Sequence, residues 1–201
     1  MGIRKYIFRK FEKPTGLVGK LTGRYMAFEN RRLNKWTTSL LNIQDGESIV
    51  EIGYGPGKGI EYICRKFPTC HVTGYDISAD MKKHAESRNE QFVKEGRVVL
   101  YDFAVALANE NSGTYDKAYS VNSIFIWKDP VGDLQTVKNW LKDGGSIAIT
   151  LQPHEKGADD VTAEENGKLI SLYLKQAGFK SITVHTKEMK PVNAVTVTAL
   201  K

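Results

Sequence analysis

The sequence predicts an α/β fold, a three-layer sandwich in which helices cover both faces of one mostly parallel sheet. Three observations lead to this fold class. β-rich runs alternate with helical patterns, a glycine-rich turn joins the first strand to the first helix, and the last two β-rich runs lie close enough to pair as a hairpin. A chain of 201 residues with 41% hydrophobic and 26% charged residues is typical of one globular domain with its own core.

Three β-rich runs predict the first three strands. They are "ESIVEIG" (47–53), "HVTGYDI" (71–77) and "RVVLYDF" (97–103). The helix after the first run is predicted from apolar residues at helical spacing, Ile60, Ile63, Cys64 and Phe67. Ser78 is suited to cap the next helix, which we expect to end at Gly96.

The second half of the chain predicts four more strands and two helices. The strands are "DKAYSVNSIFI" (116–126), "GSIAITLQ" (145–152), "SITVHTKEM" (181–189) and "NAVTVTALK" (193–201). A helix from Asp133 to Lys142 carries apolar residues on one face. Thr162 with Glu165 predicts a capping box for the last helix, which Gly178 terminates. Ligands of such folds bind at the carboxyl ends of the strands.

Four glycines within seven residues follow the first strand, in the stretch "SIVEIGYGPGKGIEYI" (48–63). A turn of this kind lets a ligand approach main-chain N–H groups at the positive end of a helix. A P-loop is excluded because Lys58 is followed by Gly59 instead of Ser or Thr, and the dinucleotide fingerprint is excluded because its third glycine is missing.

The remaining pattern is E-x-G-x-G-x-G, which begins at Glu51. Its chemistry suits a ligand that has a charged amino-acid end and no pyrophosphate. We expect backbone amides of the turn to face the carboxylate of that end. Glu51 would help to hold the ammonium, or the water around it.

At this point the sequence resembles the class I S-adenosylmethionine-dependent methyltransferases, more narrowly their small-molecule branch of ubiquinone/menaquinone-type or type 11 domains. The resemblance spans roughly residues 47–201 and implies a seven-stranded Rossmann-like sheet that ends in an antiparallel hairpin. Asp76 in "VTGYDIS" matches the acid that accepts both ribose hydroxyls, a task that suits a carboxylate with two acceptor oxygens. Asp102 in "VLYDFA" matches the acid that binds the adenine amino group. The cofactor-binding residues implied are Glu51, Gly53, Tyr54, Gly55, Gly57, Asp76, Ile77, Met81, Asp102, Phe103 and Asn122.

The candidate acceptor side lies where the first, fourth and fifth strands end. His154 in the following loop is the predicted general base, and Tyr54 is a second catalytic candidate. The predicted substrate pocket consists of Tyr25, Met26, Ser123, Phe125 and Trp127. The run "VNSIFIW" lacks the D/N-P-P-Y/F motif of relatives that methylate amino groups of DNA, which argues against nucleic acid as the substrate.

Basic charge is concentrated in a predicted N-terminal helical arm or cap, residues 1–40, that precedes a methyltransferase domain at 41–201. Residues 1–35 carry ten Lys or Arg and two acids, a net charge of +8, whereas the whole chain carries +6, so that the remainder carries −2. Three interpretations of the arm stay open: a lid over the substrate pocket, an interfacial helix on an anionic membrane, or a solvated basic face.

The expected function is transfer of a methyl group from S-adenosylmethionine to a small molecule of hydrophobic or membrane-associated character, by in-line displacement that depends mainly on positioning. The alternatives are an RNA or protein methyltransferase guided by the basic arm, or a non-catalytic module that binds the cofactor. No metal site is expected. Reduced cysteines, and the lack of a signal peptide or an apolar run of membrane-spanning length, predict a cytoplasmic protein.

Overall fold

The computed structural model describes residues 31–201. The strands of this part are β1 (Ser48–Ile52), β2 (His71–Tyr75), β3 (Val98–Tyr101), β4 (Tyr115–Val121), β5 (Leu141–Leu151), β6 (Lys180–Lys187) and β7 (Ala194–Leu200). Its helices are α1 (31–40), α2 (Lys58–Lys66), α3 (Ala79–Arg88), α4 (Glu90–Lys94), α5 (Pro130–Trp140) and α6 (Asp160–Gln176). Short 3₁₀ turns lie at Val105–Leu107 and Ile124–Ile126.

The strands form one seven-stranded sheet in the order β3-β2-β1-β4-β5-β7-β6. The first five strands along the chain pair in parallel, and β7 runs antiparallel to both β5 and β6. The predicted fold class, with its Rossmann-like sheet and terminal hairpin, is therefore confirmed. Because the strand order reverses between β1 and β4, a crevice is expected at their carboxyl ends.

Alternate residues of the central strands serve two separate apolar clusters, one for each face of the sheet. Val50 of β1 packs in the cluster that includes the core of α5 and α6, whereas Ile49 packs in the cluster that includes α2. This arrangement follows from the two-residue period of a strand, which sends successive side chains to opposite faces. Cys64 and Cys70 are buried free thiols in the second of these clusters.

Two predicted boundaries in the first part of the fold differ from the structure. The helix capped by Ser78 is divided at Asn89, whose side-chain amide donates to the carbonyls of Gly57 and Ala85 and ties the break to the glycine turn. The fourth strand ends at Val121 because Asn122 adopts a positive φ of 55°, which turns the chain out of the extended conformation.

Helix boundaries in the second half also differ. The fifth helix begins at Pro130, because the side chain of Asp129 accepts the N–H of Gly132 and caps it, and the strand that follows already begins at Leu141. The predicted Thr162–Glu165 capping box is wrong. Asp159 is the cap of α6, since its Oδ1 accepts the Thr162 N–H at 2.8 Å.

Helix α1, the described end of the predicted arm, packs against the sheet. Leu33 is fully buried beside Met189 and Ala194, and the half-buried Trp36 packs on the same cluster. The hydroxyl of Thr37 lies 2.5 Å from that of Thr150 on β5. In residues 31–201 no helix is long and apolar enough to cross a membrane.

Candidate active site

The glycine turn follows β1 at the crevice between β1 and β4. Gly53 has a φ of +76°, and a Cβ added there would lie 2.4 Å from the Cβ of Ser123. Gly55 has a φ of +51°, but a Cβ added there would meet no atom within 4 Å. Packing therefore requires glycine at position 53, whereas the backbone at position 55 borders open space.

The backbone amides of the turn are committed within the protein. Gly53 N–H donates to the carbonyl of Tyr75 at 2.6 Å, and Gly57 N–H donates to that of Tyr54 at 3.0 Å. Gly55 N–H donates to Asp76 Oδ2 at 2.8 Å. Each of these three amides thus has an acceptor within the protein, and the expectation that backbone amides of the turn face a ligand carboxylate stays a prediction.

Glu51 is a buried carboxyl beneath the turn. Its side chain accepts a hydrogen bond at 2.6 Å from the hydroxyl of Tyr119, and it is only 2% exposed. The absence of a side chain at Gly59 makes room for this pair, since a Cβ there would lie 2.7 Å from an oxygen of each partner. Burial raises the pKa of Glu51 from 4.5 to about 8, against the opposing effect of Tyr119. Glu51 thus holds its proton at neutral pH unless a cation lies beside it.

A small recess of about 70 Å³ lies against the turn. Its walls include Asn34, Glu51, Gly53, Gly55, Lys58 and Val121. The recess therefore combines a carboxyl, an amide and an ammonium group, and burial lowers the pKa of that ammonium at Lys58. Sequence reasoning missed Asn34 and Lys58. The position of Lys58 directly after the glycines at a helix start was an available signal, but none pointed to Asn34.

The tip of β2 carries a carboxylate beside an apolar surface. Asp76 is partly exposed, and its oxygens accept the N–H groups of Gly55 and of Ser78, the latter at 3.0 Å. The neighbouring Ile77 is 64% exposed, which is unusual for so large an apolar side chain. Met81, partly buried in the first turn of α3, donates its N–H to the predicted cap residue Ser78.

The tip of β3 is more open. Asp102 is exposed and forms an ion pair of 3.2 Å with Lys82, which keeps the pKa of this carboxyl below its usual value. The ring of Phe103 is half-buried; it packs edge-on against that of Tyr75 and at a tilt against that of Tyr101, with centroid distances of 5.7 and 5.1 Å. Phe103 thus joins an aromatic cluster at the edge of the predicted nucleoside site.

Tyr54 supports the turn from below. The side chain is buried, its ring fills the space beside Gly74, and its hydroxyl donates to the carbonyl of Tyr101 at 3.0 Å. Burial raises the pKa of this hydroxyl further above its usual value. The structure thus places Tyr54 as a link between the first and third strand ends, and its catalytic role stays a prediction.

Polar groups where β4 ends are bonded inside the protein. Asn122 Oδ1 accepts the N–H of Gln152 at 2.8 Å, which joins the ends of β4 and β5. Ser123 is buried, and its hydroxyl donates to the carbonyl of Ile52 at 2.9 Å and accepts from the indole of Trp127 at 3.2 Å. These two residues therefore hold the strand ends together next to the crevice.

The other predicted acceptor-side residues differ in their exposure. Phe125 and Trp127 are half-buried and pack on the apolar core, while His154 is exposed in the loop after β5. Tyr25 and Met26 lie outside the described residues. Within residues 31–201 no cluster of three or more His, Cys, Asp or Glu side chains is arranged to hold a metal ion.

Comparison with known proteins identifies the family. An uncharacterized methyltransferase of Bacillus subtilis, YdaC, is 35% identical over 181 residues, which cover 90% of this chain and 98% of the relative. A family model described as a methyltransferase domain matches residues 49–145. The chain belongs to the class I S-adenosylmethionine-dependent methyltransferases. Its methyl donor is S-adenosylmethionine.

Further relatives of this methyltransferase have more specific names. A trans-aconitate 2-methyltransferase of Rhodopseudomonas palustris is 37% identical over 132 residues, which cover 63% of this chain and 48% of the relative. A phosphoethanolamine N-methyltransferase of Zea mays is 27% identical over 158 residues, covering 77% of this chain but only 29% of the relative. The crystal structure of an S-adenosylmethionine-dependent methyltransferase from Aquifex aeolicus shares the fold, with a TM-score of 0.68, 17% identity, and coverage of 83% of this chain and 88% of that one.

The residues around the turn suit S-adenosylmethionine. The open face of Gly55 leaves room for a ligand against the backbone, and the partly exposed Asp76 carboxylate offers acceptor oxygens to a vicinal diol. The exposed side chain of Ile77 supplies apolar surface for a base. The recess offers a carboxyl group, Glu51, and an ammonium group, Lys58, to the amino-acid end of the cofactor.

Proposed function

We propose that this methyltransferase transfers the methyl group to a small-molecule acceptor of hydrophobic character. The proposal rests on the side chains of the predicted acceptor side, whose polar groups are hydrogen-bonded within the protein and whose aromatic rings are half-buried. The Oδ1 of Asn122 and the hydroxyl of Ser123 are bonded within the protein, and the neighbouring Phe125 and Trp127 offer half-buried aromatic surface. Such a surface favours an apolar ligand over a base that must be read by hydrogen bonds. Relatives named for trans-aconitate and phosphoethanolamine support a small acceptor.

Positioning is the main contribution that we assign to the protein. S-adenosylmethionine supplies a methyl group already activated by its sulfonium. Asp76 would hold the ribose diol, and the recess beside Glu51 would hold the amino-acid end. Both lie on ends of adjacent parallel strands, whose pairing fixes their separation. Rigid placement of the reactants removes much of the entropic part of the barrier.

A general base is needed only if the accepting atom loses a proton in the transition state. His154 remains the candidate for that role, because its exposed side chain lies in the loop that directly follows β5. An acceptor without such a proton needs no base, and the mechanism then depends on alignment alone.

The decisive experiment uses the full chain and S-adenosylmethionine that carries a radiolabelled methyl group. Separate incubations contain a filtered metabolite extract, total RNA or a protein extract. We expect label in the metabolite fraction, with mass spectrometry identifying the product, and no label with Asp76→Asn. Label confined to RNA or protein would overturn the small-molecule proposal. Cofactor binding by calorimetry with no labelled product in any fraction would instead support a non-catalytic module.

A further inference from the structure

Asn34 on helix α1 has an unexplained buried oxygen. The residue is 6% exposed, and its side-chain Oδ1 is inaccessible to solvent and has no hydrogen-bond partner within residues 31–201. Leaving such a buried acceptor without a donor destabilises the fold. Asn34 also lines the recess against the glycine turn. A group that enters this recess with a hydrogen to donate would relieve the cost.

In the described part of the chain, two other buried side chains have an oxygen without a hydrogen-bond partner, and their surroundings differ. The side-chain amide nitrogen of Asn89 donates to the carbonyls of Gly57 and Ala85. The side-chain amide nitrogen of Gln152 donates to the carbonyl of Val192 at 2.7 Å. These bonds explain why both side chains are where they are. Of the three, Asn34 is the residue on the wall of the recess.

The backbone that carries Asn34 is held firmly. Thr37 donates to the carbonyl of Leu33 at 2.8 Å, so Thr150 must be the donor in the 2.5 Å contact with Thr37, and Thr196 the donor in its 2.6 Å contact with Thr150. This chain of hydroxyls fastens α1 to β5 and β7. Asn34 is therefore fixed at the recess by elements that lie outside the glycine motif.

The groups in the recess match an amino acid that carries both charges. An ammonium group has three N–H donors and no acceptor, so it needs acceptor oxygens such as those of Glu51 and Asn34. A carboxylate needs a donor or a cation, and Lys58 is a cation on the same wall. The amides of Gly53, Gly55 and Gly57 are already committed, which leaves more of this task to side chains.

We propose that Asn34 is a binding residue for the amino-acid end of S-adenosylmethionine, and that its Oδ1 accepts a hydrogen bond from the α-ammonium group. Helix α1 is then part of the donor site, although it precedes the first strand and the glycine motif. The inference rests on the methyl donor and is independent of the acceptor, so a failed search for the acceptor leaves it intact.

The test compares two ligands by isothermal titration calorimetry. S-adenosylhomocysteine retains the ammonium group, whereas methylthioadenosine shares the nucleoside and thioether but lacks the amino-acid end. Asn34→Leu keeps a similar volume and removes the acceptor. We expect affinity for S-adenosylhomocysteine to fall about tenfold, and affinity for methylthioadenosine to stay within about twofold.

Two variants serve as controls. Thr38→Val removes a buried hydroxyl that bonds only to carbonyls of the same helix, and it should change neither affinity. Asn34→Asp retains an acceptor oxygen at the same place and should preserve the preference for S-adenosylhomocysteine. If Asn34→Leu unfolds, as judged by thermal denaturation, Asn34→Ala removes the same oxygen without apolar bulk and carries the same expectation. Equal losses for the two ligands, or no loss for either, would refute the proposal.

Discussion

Polar side chains at the strand ends of this methyltransferase fall into two groups with opposite surroundings. Of those that follow β2 and β3, Asp76 is partly exposed and Asp102 is exposed. Those at the ends of β1, β4 and β5, namely Glu51, Ser123 and Gln152, are buried and bonded within the protein. We call them the open tips and the closed tips. Position at the end of a strand does not by itself make a side chain available to a ligand.

The order of the sheet explains the difference. β1, β4 and β5 are the three central strands of the sheet, whereas β3 forms one edge and β2 lies next to it. Water is excluded from the interior, so a polar group there must find a partner in the protein or lose free energy. The open tips are therefore the ones suited to hold a ligand, and the closed tips set the shape around it. Glu51 and the recess lie at the boundary between the two groups, because β1 pairs with β2.

The largest effect is expected at Glu51, one of the closed tips, and concerns how the free energy of unfolding depends on pH. At low pH the carboxyl is protonated in both the folded and unfolded states. Between its usual pKa of 4.5 and the folded value of about 8, the unfolded chain releases the proton first, so the stability that Glu51 contributes is lost as pH rises. We expect Glu51→Gln to become more stable than the unmutated protein, by a difference that grows to roughly 3–5 kcal/mol above that interval.

Urea unfolding at about pH 5 and about pH 9 measures this difference in the free energy of unfolding. Glu90→Gln is the control, because Glu90 is exposed and Lys94 lowers the pKa of its carboxyl, so no gain of this kind is expected. A difference that is the same at both pH values would mean that Glu51 is ionised in the fold and that the two groups of tips are less distinct.

A smaller effect is expected where the glycine turn meets the closed tip at Ser123. Gly53→Ala combines a backbone φ of +76° with a Cβ only 2.4 Å from the Ser123 side chain, and we expect a loss of about 3 kcal/mol in the free energy of unfolding. Gly55→Ala has the conformational cost without the clash, and should lose about 1 kcal/mol.

Urea unfolding of both variants gives the comparison. Ser123→Gly removes the side-chain atoms that a Cβ at position 53 would meet. In the Ser123→Gly background, Gly53→Ala should therefore lower the free energy of unfolding by less than it does in the unmutated protein. Equal losses for Gly53→Ala and Gly55→Ala would show that packing against the closed tip is unimportant.

The third prediction separates the open tips from each other. Asp76→Ala should weaken S-adenosylhomocysteine binding by about 2 kcal/mol, because the carboxylate both offers acceptors to the ribose diol and holds the N–H of Gly55. Asp102→Ala should cost less, since Asp102 is exposed to water and already paired with Lys82. Calorimetry of both variants at one salt concentration shows which substitution weakens S-adenosylhomocysteine binding more. A larger loss for Asp102→Ala would reverse our assignment of the stronger contact.

Much of the fold was predictable because its signals are local. The alternation of strands and helices, the closing hairpin, the glycine turn and the Ser78 cap each depend on a few neighbouring residues, and the structure confirms them. The helix break at Asn89 was not predictable in the same way. Its cause is a pair of side-chain hydrogen bonds, one of which reaches back 32 residues to Gly57.

By itself, the sequence determined the fold class, the family and the identity of the residues that follow each strand, because short-range pattern and spacing encode these. Only the tertiary structure decided which of those residues face solvent and which are sealed inside, since burial depends on the order of strands across the sheet. It also brought Asn34 next to Glu51 in one recess, although 17 positions separate them along the chain. Contacts of that kind arise from packing between elements, and no local pattern records them.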